Sequence, residues 1–416
     1  MHEPGSSSRG TGSAILHGAC CAFEPRERTR ASIEIIAGCV AEVLNDPASS
    51  SSARTGHGVI DLSGFLVMPG LINAHDHLQF ALFPRLADPP YRNYVDWGTD
   101  IHDKFRDVIA KHRAIPKGVR IWWGGIRNLL CGVTTVCHHD SLWSELKRGD
   151  FPIRVVQEYG WGHSLALGGD LLKARSITPE GRAFILHACE GVDKQAYAEL
   201  AELDRLGLLD ERTVLVHGLA IDDAGVALVR ERRVSVIVCP SSNQFLFKRL
   251  PDMSLLGPIE NVALGNDSPL TAEGDLLDEV RFAGRSCGIQ PDAVYRMVTE
   301  APAVVLRLRD QEGSITVTGV GDLMAVRDTG QAAPDRLREL SMHDVEFVMV
   351  GGCVQLASET IMARLPEAAV QGLEPLWIDG TIRWLRAPVK DLLLKAEEML
   401  GKGEVRLGGR PVRIPI

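Results

Sequence analysis

The chain has 416 residues, 45% of them apolar and 24% charged, an ordinary globular composition with room for a large domain and a smaller module. Its formal net charge of −9 argues against a nucleic-acid partner or an anionic membrane surface. No run nears the roughly 18 apolar residues a membrane helix needs, and the N-terminus lacks the apolar core of a secretory signal. Nine cysteines at irregular spacing, with no CxxC, read as free thiols of a reducing cytoplasm.

Residues 1 to about 12 and 46–56 are Ser/Gly-rich and read as a tail and a loop. "ASIEIIAGCVAEV" (31–43) alternates and turns at Gly38, which predicts a strand pair, and "GHGVIDLSGFLVMPG" carries the β character on to Pro69. From about 66 to 310, short apolar runs alternate with helical stretches. The runs are "GVTTVCHHD", "PIRVVQEYGWGHS", "RAFILHACEG", "RTVLVHGLA", "RVSVIVCPSSN" and "NVALGNDSP". Between two of them, Val192, Ala196, Leu200, Leu203 and Leu206 fall at helical spacing. "IWWGG" sits on another helical run, with Trp122 and Trp123 as packing residues. β character returns at 313–328 and 345–358, and "IRWLRAPVKDLLLKAEEMLGKG" (382–403) reads as an amphipathic helix. Strand–helix repetition with near-continuously apolar strands means a parallel sheet buried on both faces. The expectation is an α/β protein, a TIM-like (β/α)8 barrel over 66–311. A small composite β-sandwich domain would be made from 1–65 and 312–416.

The strand ends carry the chemistry. "VMPGLINAHDHLQF" ends its strand in His75-Asp76-His77, and alternate strand residues face the same way, so both imidazoles enter one end of a barrel while Asp76 points apart. Three more apolar runs finish similarly: His187 with Glu190 three residues on, His217, and Asp267. Any one of these could be structural; together they point to a shared metal site. His75, His77, His187 and Asp267 would hold one divalent, zinc-like ion, which lowers the pKa of a water toward about 7. Asp267 can also accept a proton, Glu190 is placed as a proton shuttle, and His217 could hydrogen-bond water or oxyanion or be a further ligand. Gln79, His138 or its neighbour His139, and His163 are candidate substrate contacts. "PPYRNYVDW" (89–97) could form a loop over the pocket or pack between helices.

As a set, these motifs resemble the amidohydrolase superfamily. The closer resemblance is to its deaminase/chlorohydrolase branch, with cytosine, guanine and adenosyl-homocysteine deaminases and the triazine hydrolases. "MPGLINAHDHL", "HACEG", "VHGLA", "CPSSN" and "LGNDSP" occur in the branch's order. "TEAPAVVLRL" is similar to its exit helix, and "GSITVTGVGDLMAV" loosely to its C-terminal β segment, with Gly319 one place late and Gly321 in place of an Ala. The resemblance implies one zinc or iron on His75, His77, His187 and Asp267, with Glu190 and His217 catalytic. The reaction implied is hydrolysis at a carbon bearing nitrogen, typically loss of ammonia from an aminated heterocycle. Amide or carbon–halogen hydrolysis, and a non-catalytic barrel, stay as alternatives. The expected partner is a small molecule, with a homodimer allowed. Only about a dozen residues separate "EYGWGHSLAL" from "RAFILHACEG", so a shortened fourth unit is expected. Lys173 lies in a polar helical context, so the modified lysine of dinuclear relatives is not expected and one metal is.

Overall fold

The structure is a computed structural model that describes residues 12–44, 58–257, 259, 261–272 and 274–415. The expected loop at 46–56, and all but the last residue of the expected tail, lie outside the described residues. No helix is long and apolar enough to cross a membrane among the described residues.

Strands from both ends of the chain share one sheet. The N-terminal set is β1 (Ala14–Cys21), β2 (Thr29–Ile36), β3 (Cys39–Leu44), β4 (Gly58–Asp61) and β5 (Phe65–Pro69). The C-terminal set is β14 (Leu323–Arg327), β15 (Val345–Val350), β16 (Cys353–Ala357), β17 (Glu374–Ile378), β18 (Thr381–Leu385), β19 (Arg406–Leu407) and β20 (Arg410–Arg413). They join where β5 pairs antiparallel with β14, Phe65 opposite Arg327 and Pro69 opposite Leu323. Side-chain alternation then sorts the residues. Phe65, Val67, Leu323, Ala325, Phe347 and Met349 face a core of the sheet's own, while Leu66, Met68, Met324, Val326 and Val348 join the large core shared with the helices. Burial on both faces is why "FLVMP" reads as a continuous apolar run. The sequence reading missed β1, because "AILHGACC" is broken by a register shift between Leu16 and Ala19, with Gly18 at φ +70. The helix expected over 382–403 is shorter: "TIRWL" is the strand β18 and the helix spans Val389–Leu400. Pro388 marks the change, as its ring fits the start of a helix but not its interior.

The middle of the chain is parallel. β6 (Leu71–Asp76) is followed by α1 (Tyr94–Lys104), α2 (Arg106–Arg113) and α3 (Lys117–Leu130), then β7 (Val133–His138) pairs with β6. β8 (Arg154–Val155) pairs with β7, and β9 (Gly160–Gly162) pairs with β10 (Phe184–Ala188) after α4 (Leu171–Ser176). α5 (Lys194–Arg205), β11 (Thr213–His217), α6 (Asp223–Glu231), β12 (Ser235–Val238), α7 (Pro240–Phe247), α8 (Met253–Leu256) and β13 (Val262–Leu264) complete the array. An isolated parallel bridge between Asp76 and Asp267 links the end of β13 back to β6. α9 (Leu276–Ser286), α10 (Pro291–Met297) and α11 (Glu300–Val305) lead out.

β8 and β9 are separated by four residues and no helix. A parallel crossover needs about a dozen residues or more, so the two cannot lie side by side as separate strands. Arg154–Gly162 is therefore one bent strand, hydrogen-bonded to β7 at its start and to β10 at its end. Counted so, β6 to β13 supply seven parallel positions. This is where the sequence looked short of a unit.

α1 and α2 form an insertion between β6 and α3. With the turn after β6 they make a separate apolar cluster, including Phe83, Leu86, Ile101, Ile109 and Leu270, that stands over the strand ends.

Candidate metal centre and active site

His75 and His77 end β6 as the alternation requires. The Nε2 atoms of His75 and His77 lie 3.7 and 3.6 Å from Asp267 Oδ1, and His187 Nε2 lies 3.2 Å from His75 Nε2. One donor atom from each of His75, His77, His187 and Asp267 falls within 4.8 Å of the others. Two nitrogens bound at 2.0–2.1 Å to one tetrahedral ion would sit about 3.3 Å apart, so the donor set fits a divalent metal. His187 is oriented as a ligand by its backbone neighbour. The His163 carbonyl accepts from its Nδ1 at 3.0 Å, which leaves Nε2 without a proton. Gly265 permits the approach, since a Cβ there would stand 2.7 Å from the Cβ of His75.

Two site residues break the strand rule. His217 is in register with Ala188, one place after His187, and Asp267 bridges Asp76, whose side chain turns toward Arg127. In regular strands both would face the helices. Both sit at positive φ, +76 for His217 and +55 for Asp267, a conformation costly for residues other than glycine. The local twist brings them to the metal-ligand side instead.

The "CPSSN" segment becomes the first turn of α7 and explains itself. Ser242 Oγ donates to Asp267 Oδ2 at 2.7 Å and Thr271 Oγ1 to the same oxygen at 3.0 Å, leaving Oδ1 for the histidines. Asn243 Oδ1 accepts from His217 Nδ1 at 3.0 Å, so His217 Nε2 is the unprotonated nitrogen. That nitrogen lies 3.6 Å from Glu190 Oε2. Burial, then the charges of Asp267 and Glu199, push the Glu190 carboxyl well above its ordinary range. Burial opposes the charge on Asp267, but the hydrogen bond with His75 and the surrounding imidazoles hold its carboxyl below the usual range.

His77, His163, His187, Glu190, His217 and Asp267 line one cleft of about 200 Å³. Gln79 and His138 do not line it. His138 is in register with Asp76 and shares its outward face, where its Nδ1 accepts from the backbone N–H of Leu78 at 3.3 Å. Gln79 is buried, with no hydrogen-bond partner for its Oε1 among the described residues. The residue that turns inward after β7 is His139, its ring 4.3 Å from that of His187. The "PPYRNYVDW" stretch reaches the cleft: Tyr94 N donates to the Glu190 carbonyl, and Tyr94 and Trp97 line it from α1. Sequence alternation could have separated His138 from His139, had the register with Asp76 been known.

The buried histidines set an acid limit on stability. Burial lowers His138 and His217 to about 4, and lowers His77, His139 and His187 well below the ordinary value. Above pH ~6.5 these rings are neutral folded or unfolded. Between ~6.5 and ~4 the unfolded chain gains protons that the folded chain refuses, so stability falls with pH, by up to about 3 kcal/mol for a ring held at 4. The urea midpoint of metal-stripped protein should therefore drop steeply from pH 6.5 to 4.5; a flat profile would show that the rings charge freely in the fold.

A model of the amidohydrolase family matches residues 178–358. A 5-methylthioadenosine/S-adenosylhomocysteine deaminase of Natronomonas pharaonis is 36% identical, over 58% of this chain and 68% of that protein. The chain belongs to the amidohydrolase family. A deaminase of the same description from Syntrophobacter fumaroxidans is 26% identical over 75% of this chain and 79% of that one. Among solved members of the fold, a zinc-bound adenosine deaminase from Xanthomonas campestris superposes with a TM-score of 0.67 at 18% identity, covering 93% of this chain and 98% of the other. An atrazine chlorohydrolase from Arthrobacter aurescens TC1, complexed with zinc, gives 0.68 at 16% identity over 93% and 99%. Like its family, the chain is a metal-dependent hydrolytic enzyme with an α/β, TIM-like fold.

Proposed function

We propose that this enzyme hydrolytically deaminates an aminated heterocycle, with one zinc ion held by His75, His77, His187 and Asp267. The carrying observation is the cluster of four donors within 4.8 Å, set at the deep end of a cleft that also holds Glu190 and His217. Three imidazoles and one carboxylate suit zinc better than an oxygen-loving ion such as calcium or magnesium. When bound, the ion supplies a Lewis acid that makes water nucleophilic at neutral pH. Asp267 Oδ1 is the base that takes a proton from the attacking water. Glu190 brings its own proton to the ring nitrogen beside the attacked carbon. It then takes the proton of the added hydroxyl and passes it to the departing amine, and the proton held by Asp267 returns to Glu190. His217 Nε2, neutral and fixed by Asn243, accepts a hydrogen bond from the water. Water adds, ammonia leaves, and a carbonyl remains in the ring. The amine-bearing substrates named for the relatives support this reading.

The same reading takes the parallel array as a closed barrel over 66–311, with 1–65 and 312–416 as one composite β domain. Nine cysteines at irregular spacing with no CxxC suit a reducing cytoplasm. The test is elemental analysis followed by an ammonia-release screen over aminated purines, pyrimidines and triazines. About one zinc per chain, lost in His187→Ala, with ammonia released from at least one class, is the expected result. Protein that takes up no metal, or that releases chloride or carboxylic acid but never ammonia, would overturn it.

A further inference from the structure

The cleft beyond the metal donors is unusual in what it lacks. Phe83, Ile101, Ile109 and Leu270 wall it, from the turn after β6, α1, α2 and the segment after β13. Tyr94 and Trp97 add ring surface only, because their polar atoms are used elsewhere. The Tyr94 hydroxyl donates to Glu199 Oε1 at 2.7 Å and accepts from Ala166 N, and Trp97 Nε1 donates to the Leu86 carbonyl at 2.9 Å. Apart from these, Ser268, beside Asp267, is the one lining residue with a neutral hydroxyl or amide side chain among the described residues. The lining carboxylates, Glu190 and Asp267, are both at the deep end. A sugar carries hydroxyls that must keep partners when water is excluded, and the face formed by Phe83, Ile101, Ile109 and Leu270 offers them none; the neutral polar side chains Ser268 and His163 stand with the donors, His163 with its ring 5.0 Å from that of His187.

The exposed parts of the lining are different. His102 at the end of α1 and Arg113 at the end of α2 line the same cleft, both exposed, and Arg113 makes no ion pair among the described residues. An unpaired guanidinium with no carboxylate near it in the lining is a receptor for an anion.

We propose that the substrate is an aminated heterocycle bearing an apolar, non-sugar arm that ends in a carboxylate. The ring sits at the metal donors, the arm lies along the α1–α2 wall, and the carboxylate meets Arg113 with His102 beside it. This rests on the deaminase reading for the ring and departs from the nucleosides named for the relatives in everything beyond it. The test uses three probes on one ring: adenosine, 9-benzyladenine and 9-(4-carboxybenzyl)adenine. Their dissociation constants are measured by calorimetry on the zinc-loaded Glu190→Gln variant, and their ammonia release on the native enzyme. The benzyl probe should bind about tenfold more tightly than adenosine, and the carboxylate should add about another tenfold. In Arg113→Gln the ratio between the two benzyl probes should fall to about one. Adenosine binding as tightly as the benzyl probe overturns the proposal while leaving deamination intact, and so does a carboxylate ratio untouched by Arg113→Gln. The expected binding order without any ammonia release supports the proposal and sinks deamination instead. No binding of any probe overturns it.

Discussion

Glu190→Gln is expected to lower kcat by about 10²- to 10⁴-fold while the zinc content stays at one per chain. Gln keeps the length, the shape and an amide N–H to face His217 Nε2, so the cleft is not emptied. What it loses is the ability to give and take a proton. The surroundings of Glu190 suit it to proton transfer. It is buried, and burial with the neighbouring Asp267 and Glu199 carboxylates favours its protonated form. It donates no ligand to the donor cluster, which is why metal and turnover should separate. KM should change little, since the proton moves only in the transition state. Kinetics with parallel elemental analysis read both effects. A variant within threefold of native kcat would remove Glu190 from the reaction, and a variant that lost its zinc would make it a ligand.

Much of this centre was legible before any coordinates, and the reason is local. HxH on a strand needs only period-two geometry to become a pair of ligands, and His187 and Asp267 close their own apolar runs. Three things were not local. Whether His138 or His139 enters the site depends on register with β6, which the chain does not announce. His217 and Asp267 reach the site only through positive φ, so a strict strand reading would have turned both away. The wall of the cleft comes from α1 and α2, an insertion whose aromatic residues read equally well as packing. The fold followed the same division. The repeated strands were visible in their apolar runs, whereas β1 was hidden by a bulge, and the pairing of β5 with β14 joins segments about 250 residues apart. The bent strand from Arg154 to Gly162 appeared in the sequence as one run followed by too short a gap, and that reading held the physical content of the missing helix.

The remaining residue of His75-Asp76-His77 carries the largest expected effect on stability. Asp76 is fully buried, and Arg127, 3% exposed, donates to both its carboxylate oxygens at 2.7 and 2.8 Å. Asn128 and Asn73 donate to Oδ2 at 2.7 and 3.2 Å, and Arg127 Nη1 reaches the Gly274 carbonyl. The pair therefore ties β6 to α3 and to the segment after β13, beside the bridge that joins Asp76 to Asp267. Arg127→Met removes the cation and leaves a carboxylate in the core with two amides for company. Such a loss costs about 3–5 kcal/mol, enough to lower the urea midpoint well beyond error. Because Asp76 sits between two metal ligands, zinc affinity should fall with it. Replacing both partners, Asp76→Leu with Arg127→Met, removes the stranded charge and should recover most of the stability. Zinc affinity should recover less, since the hydrogen bonds that orient the strand end are gone. If the double variant is no more stable than Arg127→Met alone, the pair acts through packing rather than charge. If zinc binding is untouched in either variant, the aspartate between the histidines serves the fold and not the metal.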